Sequence, residues 1–143
     1  MSDDTIHLLK ECDSGCKTAV NSIKEVLDNI QSTELLKILT DSVKEHEKIG
    51  NEIHETLSAL GSSGKDPDIM ARAMSWLKIN AKILNEPSDK TIASLMTDGC
   101  NMGIKQLSTY QNKYPTADKK SQKLAKKIIL EEEYLLDKLK EFL

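Results

Sequence analysis

The chain has 143 residues, the length of a single domain that can bury a hydrophobic core. Its net charge of −3 argues against attraction to nucleic acid or to anionic membranes, and no apolar run reaches membrane-spanning length. Aromatic residues make up only 3% of the chain and charged residues 30%, with 3 prolines and 6 glycines. A core built from aliphatic side chains, in a chain rich in helix formers, is typical of an all-α protein.

The cysteines and the N-terminus indicate the compartment. Cys12 and Cys16 are one helical turn apart, which is a poor spacing for a disulfide, so the three cysteines are predicted to be free thiols. Residues 1–4 are acidic at two positions and lack the charged and then apolar form of a signal peptide. We therefore expect a cytoplasmic protein.

Hydrophobic periodicity predicts five helices, over residues 4–29, 33–60, 67–84, 89–113 and 116–142. Ser32 or Thr33 can cap the second helix, and Gly61 can end it. The polar connector before this helix is short, so the first two helices are expected to pack antiparallel.

The third predicted helix is shorter and follows Asp66-Pro67, an N-cap with a proline at the first helical position. At 1.5 Å per residue it would span roughly 27 Å, enough to carry the chain back along a bundle. The fourth predicted helix, which Ser88 caps, would then run parallel to the second. Pro115 ends it, and Thr116 or Asp118 can cap the last.

Glycines interrupt two of the predicted apolar stripes. Gly15 lies in the middle of the first helix, and Gly99 and Gly103 lie in the middle of the fourth. A glycine inside a helix costs about 1 kcal/mol relative to alanine. We expect a neighbouring helix to approach closely at these positions.

Four stripe residues are not aliphatic, and each lies near the middle of a different long helix: Cys16, His46, Cys100 and Glu132. Antiparallel hairpins would bring them to one level, where a bundle builds metal sites from inward side chains. Thiolate, imidazole and carboxylate ligands together suit zinc or ferrous iron. Alternatively, the cysteines are small buried hydrophobes and His46 pairs with Glu132 across the core. We favour this second interpretation, because spacing across separate helices is not a specific motif.

The last helix carries a resemblance to a known family. Glu132-Glu133-Tyr134-Leu135 resembles the final-helix motif of the ferritin-like superfamily, in which Glu-x-x-His supplies two iron ligands. Glu132 takes the glutamate position, but Leu135 stands in place of the histidine. In the second helix, Glu45 and Lys48 would take the corresponding positions, again without a histidine. The resemblance therefore implies the ferritin-like fold but not a standard di-iron centre. Without that centre, neither ferroxidase nor oxygenase chemistry is expected.

The same resemblance places the other two carboxylates of such a centre near residues 13–16 and 98–101. A small bacterial branch of this superfamily, of uncharacterised function, links its two hairpins by a short helix that contains a tryptophan, as Trp76 would here. The predicted fold is an all-α, ferritin-like up-down four-helix bundle with an additional short crossover helix between the hairpins.

The predicted function is that of a non-enzymatic bundle protein that has lost its di-iron site and acts through binding or assembly. We expect a homodimer with no cofactor, no nucleic-acid partner and no membrane partner. The alternative is a metal-binding or redox protein that uses Cys16, His46, Cys100 and Glu132 with zinc or iron.

Overall fold

The computed structural model describes residues 3–64, 85 and 88–143. Over these residues the chain is an all-helical bundle without strands, made of α1 (Asp3–Val26), α2 (Thr33–Ala59), α3 (Asp89–Lys113) and α4 (Lys119–Leu139). Single 3-10 turns, Leu27–Asn29 and Lys140–Phe142, extend α1 and α4. The predicted helix 67–84, with Trp76, lies outside the described residues.

Side-chain caps define where three of the helices begin. Ser32 accepts a hydrogen bond from the third residue of its helix, and Ser88 and Asp118 do the same at the starts of α3 and α4. Each bond satisfies one of the backbone N–H groups that a helix start leaves without an intrahelical partner. The sequence leaves open two capping residues for α2 and two for α4, and the structure uses Ser32 and Asp118. The last helix therefore begins three residues after Thr116.

Gly61 ends α2 in a left-handed conformation, with φ at +71°. The Gly61 N–H donates to the Ser58 carbonyl at 3.0 Å, and the Ser62 N–H donates to the Leu57 carbonyl at 2.9 Å. These are the two bonds of a Schellman motif, in which glycine adopts a positive φ without a steric penalty. The glycine predicted to stop the helix does so.

Hydrogen bonds between the helix ends fix the directions of the helices. The Asp89 carboxylate, at the start of α3, accepts from the backbone N–H groups of Gln31 and Ser32, both at 2.9 Å, at the start of α2. At the other end of the bundle, Asp4 accepts from the backbone N–H of Thr116. Because α2 and α3 begin at the same end, they run parallel, and α1 and α4 run opposite to them.

The core divides into two apolar clusters. One joins the first half of α1 to the second halves of α2 and α3 and to the first half of α4, and the other joins the remaining halves. His46 follows Val43 of one cluster and precedes Ile49 of the other. It is fully buried, and Glu132 is only 6% exposed. A polar layer therefore separates two aliphatic ones near the middle of the bundle.

Candidate functional site

The polar layer is built around a direct contact between α2 and α4. His46 Nε2 lies 2.6 Å from Glu132 Oε1. Each residue occupies an inward position on its helix between apolar neighbours, so the imidazole is fully buried and the carboxylate nearly so. The pairing of His46 with Glu132 that the sequence predicts is confirmed, and it satisfies two groups that would be costly to bury alone.

Ser42, one turn before His46 on α2, determines which ring nitrogen carries a proton. His46 Nδ1 lies 2.8 Å from the Ser42 carbonyl oxygen, which can only accept, so Nδ1 is the donor. Nε2 then either donates to an ionised Glu132 or accepts from a protonated one. In both states the pair shares one proton and has no net charge, which reduces the cost of burying it.

The surroundings of His46 favour its protonated form. Burial lowers the pKa of His46, but the hydrogen bond and charge of Glu132, the Ser42 carbonyl and the charge of Glu131 outweigh burial and raise the pKa overall. At Glu131, which is half-buried on α4 next to Glu132, the effect of burial on the pKa outweighs that of the hydrogen-bond and charge partners. Burial raises its pKa, and the charge of His46 and the Ser42 hydroxyl offset only part of that effect.

Both cysteines of the predicted set are close enough to Glu132 to sense its charge. Burial, then the charge of Glu132 and a hydrogen bond to it, raise the pKa of the Cys100 thiol far above its ordinary value. Burial, then the charges of Asp13 and Glu132, raise the pKa of Cys16 to about 12. Both residues are therefore neutral thiols at physiological pH, which makes them poor nucleophiles in this state.

The described parts of the chain contain no group of three or more His, Cys, Asp or Glu residues that could hold a metal ion. The metal site predicted from Cys16, His46, Cys100 and Glu132 stays a prediction. The contact that the structure does show, between the His46 imidazole and the Glu132 carboxylate, is the one expected if these two residues pair with each other across the core.

A second buried carboxylate lies on α1. Asp13 is 1% exposed, with Lys17 Nζ 2.8 Å from Oδ2 and His54 Nε2 3.6 Å from Oδ1. The Asp13–Lys17 contact is an i, i+4 pair and can be read from spacing, whereas the contact with His54 depends on how α1 and α2 pack.

A cavity of about 100 Å³, partly open to solvent, lies between α1 and α3 at the level of the polar layer. Gly15 of α1 and Gly103 of α3 line it, and its polar atoms come from Glu132, Cys100, Thr18, Ser22 and Gln106. A methyl group at Gly15 would come no closer than 3.9 Å to its nearest neighbour, a Leu107 side chain. The glycines therefore open a space there instead of allowing the close helix approach that their positions suggest.

Comparison of the chain with family models, curated proteins and solved structures finds no match. Among the helices that the structure describes, none combines the length and the apolar character needed to cross a membrane.

Proposed function

We propose that this protein is a non-enzymatic, ferritin-like helical bundle that has lost its di-iron site and acts through binding. The observation that carries the proposal is the 2.6 Å contact between His46 Nε2 and Glu132 Oε1. In a ferritin-like bundle this level holds the inward metal ligands. Here the imidazole and the carboxylate satisfy each other, and the layer needs no cation to offset the charge of Glu132.

The motif positions on α2, α3 and α4 support the same proposal, whereas the position on α1 falls at the buried Asp13. Glu45 and Lys48, which would supply ligands from α2, are exposed, and so are Asp98 and Asn101 on α3. Leu135, in place of the motif histidine on α4, is buried in the apolar core. A di-iron centre needs carboxylates from several helices directed into the bundle, and these side chains lie at the outer faces.

The arrangement of the helices is compatible with this family. The parallel directions of α2 and α3 require a connection that returns along the bundle, and the proposal assigns that role to the predicted crossover helix 67–84. Two hairpins joined by one long crossover form the ferritin-like arrangement.

The proposal includes a cytoplasmic homodimer. Three buried free thiols suit a reducing compartment. Leu130 and Tyr134 are 51% and 60% exposed one turn apart on α4, which gives an apolar strip that a second copy could cover. Light scattering coupled to size-exclusion chromatography should give twice the chain mass. A monomeric mass at every concentration would contradict this part of the proposal.

Elemental analysis tests the loss of the di-iron site. Protein purified without metal-affinity columns should contain no stoichiometric zinc or iron. The second candidate function, a metal-binding or redox protein, draws support from proximity alone, because the thiols of Cys16 and Cys100 lie close enough to Glu132 to sense its charge. One bound metal per chain, lost on replacing His46 and Glu132 by alanine, would establish that candidate instead.

A further inference from the structure

We propose that the cavity between α1 and α3 binds a small, neutral, mainly apolar molecule that carries one hydroxyl group, such as a short-chain alcohol. This inference rests on the proposed function, because it identifies the ligand class for a protein that acts through binding. The floor of the cavity is the side of Glu132 that faces away from His46.

The cavity wall selects an apolar body. Most of the lining is apolar and offers a ligand only dispersion contacts, as at Ala19, Ile23, Met96 and Leu135. Three polar side chains, Thr18, Ser22 and Gln106, complete the wall. An apolar cavity of about 150 Å³ in another protein accepts benzene. The cavity of about 100 Å³ here is smaller but partly open to solvent, so it suits a ligand with a chain of a few carbons.

Glu132 selects the polar end of the ligand. The three Glu132 atoms nearest to the point that a methyl group on Gly103 would occupy are Cδ, Cγ and Oε2, at 3.7–3.8 Å. Oε1 is the oxygen that contacts His46, so Oε2 is the oxygen nearer to the cavity lining at Gly103. A carboxylate oxygen is a hydrogen-bond acceptor, and the Cys100 thiol beside it is a weak donor. A ligand hydroxyl could therefore make a stronger hydrogen bond to Oε2 than a thiol can.

The charge balance of the layer selects a neutral ligand over a cationic one. Because His46 and Glu132 share one proton and carry no net charge, an ammonium group in the cavity would bring an additional buried charge without its own counterion. Such burial is costly. A hydroxyl group gains the hydrogen bond without this cost.

Isotope-edited NMR titration of the full chain provides the test, with n-butanol and its constitutional isomer diethyl ether as probes. The isomers share composition, but only the alcohol can donate a hydrogen bond. We expect n-butanol to shift the resonances of Ala19, Met96 and Gly103 saturably, with a dissociation constant in the millimolar range, as the size of the ligand allows. Diethyl ether should bind at least about fivefold more weakly, the factor expected for one hydrogen bond.

Two glycine variants provide a matched pair for locating the site. Gly103→Ala places a methyl group in the cavity at ordinary contact distance, 3.7 Å, from Glu132, so the variant should fold and bind n-butanol more weakly. Gly50→Ala makes the same change on α2, where the new methyl group would contact Cys16 at 3.6 Å outside the cavity lining. This control should bind n-butanol like the wild type.

Four outcomes would overturn the inference: no saturable shift with n-butanol, shifts located elsewhere in the bundle, equal affinity for the two isomers, or tighter binding of n-butylammonium. None of them depends on metal content. Failure of the alcohol titration in metal-free protein would remove the cavity proposal and leave the proposed function standing, whereas a stoichiometric metal would remove the proposed function itself.

Discussion

Replacing one or both members of the His46–Glu132 pair with leucine should give opposite results. Glu132→Leu leaves a fully buried imidazole whose Nε2 faces an apolar side chain, and His46→Leu leaves a buried carboxylate without its partner at 2.6 Å. The double variant leaves neither group. Because leucine is similar in volume to both residues, the double variant restores an apolar layer between the two existing clusters.

The magnitudes follow from burial. Removing one partner of a buried ion pair costs about 3–5 kcal/mol, whereas replacing both by hydrophobic residues is often neutral or stabilising by about 1–4 kcal/mol. A domain of this size has a free energy of unfolding of about 5–15 kcal/mol, so each single variant should lose a large share of its stability. The coupling energy between the two sites, the difference between the double variant and the sum of the single ones, should therefore be about 6 kcal/mol or more.

Urea unfolding followed by far-ultraviolet circular dichroism at neutral pH measures these free energies. Glu133→Leu is the matched control, because Glu133 is the exposed neighbour on the same helix and should change stability by only about 0.5 kcal/mol. A loss below about 1 kcal/mol for Glu132→Leu would refute the reasoning. A double variant as unstable as the sum of the single ones would refute it equally.

Three further predictions concern pH, thiol chemistry and capping. The pKa of His46 is raised above its ordinary 6.5, so its contribution to stability should be complete below about pH 6.5. This contribution should be lost as the pH rises through the folded-state pKa, by up to about 1.4 kcal/mol per pH unit. A difference in the free energy of unfolding between wild type and double variant that stays constant from about pH 6 to about pH 9 would contradict this. With its pKa raised to about 12, Cys16 should react with iodoacetamide at about pH 8 roughly 10³-fold more slowly in the native protein than in urea. Peptide mass spectrometry measures both rates of labelling. Rapid labelling of the native protein would argue for a redox thiol. Asp118→Ala should lower the free energy of unfolding in urea by about 0.5–2 kcal/mol, and Lys119→Ala is the control. Because the hydrogen bonds from Ser121 lower the pKa of Asp118 below its ordinary 3.8, this loss should disappear as the pH falls through the folded-state pKa. A loss of stability that persists in strong acid would exclude the capping explanation.

The pair could be predicted from the sequence because its two residues break apolar stripes that are otherwise regular. A histidine and a glutamate at inward positions near the helix middles must face a core, and a buried polar group needs a partner. The helix lengths and the short connectors place the two residues at one level.

The cavity could not be predicted in the same way. A glycine on an inward helix face permits either the close approach of a neighbouring backbone or an open space, and the choice depends on side chains contributed by other helices. At Gly15 the nearest neighbour of an added methyl group would be the Leu107 side chain of α3, at 3.9 Å. The Asp13–His54 contact could not be predicted for the same reason. It depends on how α2 is rotated relative to α1, and the spacing within either helix does not determine that rotation.

Glu132 belongs both to the pair and to the cavity, so its structural and functional roles can be separated. If the pair served only to specify the packing of the bundle, the double leucine variant would be stable and would bind n-butanol and diethyl ether exactly as the wild type does. If Oε2 anchors a hydroxyl group, the same stable variant should lose most of its preference for n-butanol over diethyl ether, because the anchoring carboxylate is gone. A variant that keeps its stability and loses this selectivity would show that the carboxylate in the core is retained for binding.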